Sequence, residues 1–112
     1  MTHETLIDLS SLEEYSGGDP EILAELLEAF YDTAESSIDA LKQNISSGEN
    51  PDWHKAAHKL KGASGYVGAS RLTELCVQAE QMTDCDKSVR ENAYTEISHL
   101  YSQICTQLKN ST

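Results

Sequence analysis

Apolar residues recur along this chain at spacings of three and four, the period of helices that bury one side, and nothing in it reads as a strand. Glycine and proline punctuate the pattern. Ser10, with Glu13 three residues on, has the form of a capping box and opens a short helix over 9–16 that Ser16, Gly17 and Gly18 end. Asp19 caps the next helix, with Pro20 preorganised for its first position. From there Ile22, Leu23, Leu26, Leu27, Phe30, Ala34, Ile38, Leu41 and Ile45 draw one apolar stripe as far as Gly48. Asp32 and Thr33 can cap a fresh start with Glu35 in its first turn, so a break is expected near Thr33, giving helices over 20–32 and 33–47.

Asn50 and Pro51 repeat the cap-then-proline signal and open a helix over 51–67 that Gly68 stops. Leu72, Leu75, Cys76, Ala79 and Met82 predict a helix over 70–83; Val89, Ala93, Tyr94, Ile97, Leu100, Tyr101, Ile104 and Leu108 predict the last, over 87–109. Short connections favour antiparallel neighbours. The expected fold is therefore all-α, an antiparallel up-and-down four-helix bundle with one or two extra N-terminal helices packed across one end. A chain of 112 residues fits one such domain over 1–112.

Composition narrows the possible partners. Eight Lys and Arg against 19 Asp and Glu leave a formal charge of −11, which repels nucleic acid and anionic membrane surfaces. Cys76, Cys85 and Cys105 form neither a CxxC pair nor a disulfide framework and read as reduced thiols, with Cys76 and Cys105 among apolar positions and Cys85 at a connection. The chain opens without a basic n-region and apolar run, and no segment reaches membrane-spanning length. A soluble cytoplasmic protein is expected. His3 falls in the N-terminal segment, and His99 sits on the last helix without an inferable partner.

The segment 51–67 carries the chemistry. At about 100° per residue, Trp53, Ala56, Ala57, Leu60, Ala63, Ser64 and Val67 share one face, which makes that face the buried one. His58 points the other way. With it are His54, Lys55, Gly62 and Gly65, flanked by Lys61 on one shoulder and by Lys59 and Tyr66 on the other. Glycine within a helix costs about 1 kcal/mol relative to alanine, so two of them one and two turns beyond His58 imply a need for clearance. Charge favours the same place. From Trp53 to Thr73 the chain has no Asp or Glu, yet it holds Lys55, Lys59, Lys61 and Arg71, half of all its basic residues. A basic patch on an acidic protein suggests that an anion visits. An imidazole with a pKa near about 6.5 is mostly uncharged at neutral pH, and its ring nitrogen can attack phosphorus. Lys61 can reach a phosphoryl group bound three residues away. No nucleotide-binding motif and no cluster of metal-binding carboxylates accompanies these residues, so catalysis, cofactor and magnesium are not expected on this chain.

Ala57-His58-Lys59-Leu60-Lys61-Gly62, then Gly68-Ala69, Leu72, Leu75-Cys76 and Glu80, resemble the histidine-containing phosphotransfer domains of bacterial phosphorelays. Upstream, Ser16-Gly17-Gly18-Asp19-Pro20-Glu21 resembles the usual entry to that domain, so the likeness covers nearly the whole chain. The resemblance implies that His58 is the phosphoacceptor, that Lys61 offsets the phosphoryl charge and that Gly62 clears the acceptor's flank. Glu80 falls where a polar side chain in relatives can lie near the histidine. His54, Lys55, Lys59, Tyr66 and Glu80 are candidates for an auxiliary or partner-facing role. The resemblance also implies a receiver domain as partner, on a hybrid sensor kinase or a response regulator, with the aspartate and magnesium supplied by that partner. With a start at Met1 and no kinase core the chain is similar to a free-standing phosphotransfer protein, a domain excised from a hybrid kinase being the other reading. A closed four-helix core needs no dimer, so a monomer is expected.

Two other classes compete. His54 and His58 stand four residues apart, a zinc-ligand spacing, although the Glu of an HExxH motif and a third ligand are missing. The other is a plain helical interaction module in which His58 is incidental.

Overall fold

The computed structural model describes residues 6–46 and 48–111, so His3 lies outside the described residues. Five helices appear in order: α1 (Ser10–Ser16), α2 (Pro20–Gln43), α3 (Pro51–Tyr66), α4 (Ser70–Glu80) and α5 (Lys87–Ser111). The last four form the antiparallel bundle, with α3 packed between α2 and α4 and with α5 closing against α4 and α2. Asp19 accepts a hydrogen bond from the Glu21 amide and Asn50 one from the Trp53 amide, so both cap-then-proline signals start helices. The start of α1 differs from expectation. Ser10 is the first helical residue and not the cap: Asp8 accepts hydrogen bonds from both its amide and its hydroxyl.

The break expected near Thr33 is absent, and α2 runs unbroken from Pro20 to Gln43. Phe30, Ala34, Ile38 and Leu41 keep their helical register through that point and are all buried, whereas Asp32 and Thr33 face solvent. A break would have rotated the buried stripe out of the core, a loss larger than any cap returns. The same helix stops at Gln43, short of the expected end at 47. Beyond it Gly48–Glu49 (β1) pairs antiparallel with Asp84–Cys85 (β2), Gly48 opposite Cys85, a two-residue ladder where no strand was expected. Likewise α4 ends at Glu80, short of the expected 83, because the chain there turns into β2.

The core joins Leu12 of α1, Phe30 and Leu41 of α2, Trp53 and Leu60 of α3, Leu72 and Cys76 of α4, and Ile97, Ile104 and Leu108 of α5. Two positions assigned to apolar stripes are exposed instead, Ile22 and Val89. On α5 the register belongs to Arg90, which is fully buried at 0% exposure. Its guanidinium donates to the carbonyls of Ser46, Met82 and Thr83 and lies 5.8 Å from the Trp53 ring centroid. It thereby ties together the chain just past the ends of α2 and α4, where carbonyls lack helical partners.

At the opposite pole the N-terminal segment crosses the end of the bundle. The Asp8 amide donates to Val67 at 3.0 Å and the Leu6 amide to the Gln107 side chain at 2.9 Å. Gly68 has a φ of +62°, and a Cβ there would come within 2.2 Å of the Asp8 carbonyl oxygen, so the stop after α3 has to be glycine on both counts.

Candidate functional site

The inner face of α3 is the one its sequence pattern marks. Trp53, Ala56, Ala57, Leu60, Ala63, Ser64 and, just past its end, Val67 are all buried. Ser64 keeps its hydroxyl satisfied in the core by bonding the Lys61 carbonyl at 2.8 Å and the Thr73 hydroxyl at 2.7 Å, a polar link from α3 to α4. On the outer face His58 stands with 66% of its side chain exposed. His54, Lys55, Lys59, Gly62, Gly65 and Tyr66 are exposed beside it, and Lys61 is half-buried toward α4.

Glu80, the last residue of α4, organises this face. One carboxylate oxygen lies 2.5 Å from His58 Nδ1 and the other 2.8 Å from Lys61 Nζ, with the Glu80 side chain only 12% exposed. Its backbone carbonyl lies 3.0 Å from His54 Nδ1. A carboxylate and a carbonyl can only accept, so in both contacts Nδ1 is the donor and Nε2 is the ring nitrogen turned away from Glu80. The two rings lie nearly parallel, 6.5 Å apart. The Lys61 hydrogen bond, followed by that of His58, holds the Glu80 carboxyl below the usual glutamate range despite partial burial, which keeps it ionised. Beneath it, burial pushes the Cys76 thiol up to about 12, so that neighbour stays neutral.

The end of α4 is itself anchored by side chains from α3 and α5. Trp53 Nε1 donates to the Ala79 carbonyl at 2.9 Å, His54 Nδ1 to that of Glu80, and Arg90 to those of Met82 and Thr83. Carbonyls that a helix leaves unpaired at its C-terminus are thus fixed one after another, and the Glu80 carboxylate is fixed with them.

A Cβ added at Gly62 or at Gly65 would meet nothing within 4 Å, so the fold itself has no steric use for either glycine. They border an open cleft of about 270 Å³ shared with Ser11, Tyr15 and Tyr66. The rings of Tyr15 and Tyr66 meet there at 6.5 Å while both remain well exposed. Lys55 and Lys59 extend to solvent and do not join the Glu80 network. Among the described residues no group of three or more His, Cys, Asp and Glu side chains is gathered to hold a metal ion. His99 is exposed on α5.

Three participants do not follow from the pattern of α3. Glu80 joins residues 19 and 22 positions away, and nothing local in the sequence announces that pairing. Tyr15 belongs to a separate helix. Arg90 did leave a signal, since it stands three, seven and ten residues ahead of Ala93, Ile97 and Leu100 and so occupies a core register with a charged side chain.

The family model described as Hpt domain matches residues 25–110. Histidine-containing phosphotransfer protein 5 of Arabidopsis thaliana is 26% identical over 99 residues, covering 83% of this chain and 62% of that protein. The sensor protein EvgS of Escherichia coli is 24% identical over 85 residues, which is 76% of this chain but 7% of the sensor. The chain therefore spans less than two thirds of the length of either relative. Among solved structures, the histidine phosphotransferase ShpA of Caulobacter crescentus superposes with a TM-score of 0.59 at 25% identity, covering 96% of this chain and 98% of that one.

Proposed function

The chain belongs to the Hpt domain family, and from that membership we propose that it is a phosphocarrier in a multistep phosphorelay, accepting a phosphoryl group on Nε2 of His58 and passing it on. The observation that carries the assignment to this atom is the Glu80 contact at 2.5 Å, which occupies Nδ1 and leaves Nε2 as the exposed nucleophile. Such a protein holds the group and is not an enzyme. In-line positioning and metal-assisted charge neutralisation belong to the partner.

The partner is a receiver domain, of a hybrid sensor kinase, of a response regulator, or of both in turn. It supplies the aspartate and the magnesium. Gly62 and Gly65 fit this reading because bare backbone one and two turns from the acceptor lets a second protein approach, and Tyr66 with Tyr15 offers it an apolar footing. Lys61, bound to Glu80 through one of its three protons, has two left for phosphoryl oxygens. His54, Lys55 and Lys59 add positive or polarisable groups to the rim. Residues 1–112 form one such domain, monomeric and cytoplasmic in this reading; among the described residues no helix is long and apolar enough to cross a membrane.

The test is exchange of label with a phosphorylated receiver domain. Wild-type chain takes up acid-labile phosphate, and His58→Gln takes up none while keeping its helical content by circular dichroism. Equal labelling of the two would remove His58 from the assignment.

A further inference from the structure

The Glu80 contact has chemical consequences after phosphorylation as well as before it. On transfer the Nε2 lone pair forms the N–P bond, the bond from phosphorus to the partner's carboxylate oxygen breaks, and its electron pair leaves on that carboxylate. Nδ1 still bears its proton at that moment, so the phosphorylated ring is formed as a cation. An imidazolium free in water gives up its proton near pH ~6.5, which would leave an uncharged ring bearing the anionic phosphoryl group.

The two forms differ as donors. For the phosphoryl group to move on, the N–P bond breaks and its electron pair returns to Nε2. The leaving group is then a neutral imidazole if Nδ1 is protonated, or an imidazolate anion if it is not. The anion is by far the worse leaving group, so onward transfer depends on a proton located on the far side of the ring from phosphorus.

We propose that Glu80 is a positioning residue that keeps the Nδ1 proton on the ring while Nε2 carries the phosphoryl group, so that phosphorylated His58 remains a ready donor. The inference rests on the reading of His58 as the phosphoacceptor. Its geometry is already in place. Glu80 Oε1 faces Nδ1 at 2.5 Å, Oε2 is pinned by Lys61 at 2.8 Å, and the backbone carbonyl of the same residue is held by His54. An anion at that distance opposes loss of the ring proton, and an amide of the same shape would accept the hydrogen bond without opposing the loss of charge. The groups facing the ring are Glu80 from α4 and His54 and Lys61 from α3; the cation of Lys61 is directed at Glu80, and Cys76 below is a neutral thiol. No other element places a charged partner on the ring among the described residues. Lys61 thus serves twice, holding the carboxylate ionised and fixing its orientation.

The experiment uses the full chain labelled with ¹⁵N in its histidines, phosphorylated with phosphoramidate as a small donor and titrated by ¹⁵N and ³¹P NMR, for wild type and Glu80→Gln. The glutamine keeps the shape and can still accept from Nδ1, so it separates charge from position. The expected result is that the pH at which phosphorylated His58 loses its Nδ1 proton falls by about one unit or more in Glu80→Gln, the shift one close opposite charge produces. Transfer from phosphorylated His58 to an unphosphorylated receiver domain at pH 8 then slows by about tenfold, as one unit of protonation requires. Equal titration midpoints in the two proteins, with His58 phosphorylated in both, overturn this inference and leave the acceptor assignment standing. Failure of wild-type His58 to take up phosphate overturns both, through the assignment itself.

Discussion

The end of α4 meets one charge on its inner side and another on its outer side, and the fold treats them in opposite ways. Arg90 is wholly buried, and no carboxylate lies within ion-pair distance of it among the described residues; three carbonyls and the face of Trp53 surround it. Glu80 lies at the edge of solvent and its two carboxylate oxygens are shared between Lys61 and His58. A buried guanidinium held by carbonyls has one arrangement available, since every alternative strands a desolvated charge. A carboxylate at the rim keeps some contact with water, so its two oxygens can serve two different partners without stranding a desolvated charge. The first arrangement makes a buried post, and the second makes a contact at the surface. Both draw on the same stretch of chain from Ala79 to Thr83, so the surface contact inherits the rigidity of the buried one.

The largest break in this pairing should come from Arg90→Ala. It frees three carbonyls and uncovers the Trp53 ring, and the loss in unfolding free energy should be about 4 kcal/mol, read from urea denaturation. Arg90→Lys should recover only part of it, because an ammonium cannot span acceptors on two sides of the bundle as the fork does. Gly62→Ala tests the outer face from the other direction. With open space around the added methyl, the helix should gain about 1 kcal/mol of stability while label exchange with a receiver domain slows; gain in both would show that the clearance serves no partner.

The smallest effect is the pH dependence of Glu80. Its carboxyl lies below the ordinary value of 4.5 when folded, chiefly through the Lys61 hydrogen bond and then that of His58, so its contribution is present above that value and lost as pH falls through the lower folded one. The stability difference between wild type and Glu80→Gln should therefore be under about 1 kcal/mol at pH 7 and should shrink on titration below pH 4.5. A difference that grows toward acid pH would reverse the sign of the interaction.

Much of this molecule was legible in its sequence because helices record their buried side locally. The inner face of α3 follows from a period of 3.6, and its outward histidine follows by subtraction. Caps at Asp19 and Asn50 are equally local. What periodicity could not supply was contact between distant positions. The reach of Arg90 to Ser46 spans 44 residues, and the meeting of Glu80 with His58 spans 22. The same limit explains the errors at the ends of α2 and α4, where the β1–β2 ladder and the Arg90 fork claim backbone groups that a continuing helix would have used. The false break at Thr33 has a different cause. The capping pair Asp32 and Thr33 does not act alone, because the stripe on either side of it is one continuous commitment to the core.

The way the N-terminal segment folds back has a practical meaning for how such a bundle can be joined to other proteins. Leu6 is tied to Gln107 and Asp8 to Val67, so both ends of the described chain emerge at one pole, while the exposed His58 imidazole is on the flank. A tether, an immobilisation tag or a flanking module grafted at either end would thus hang from the cap of the cylinder and leave the His58 flank unobstructed.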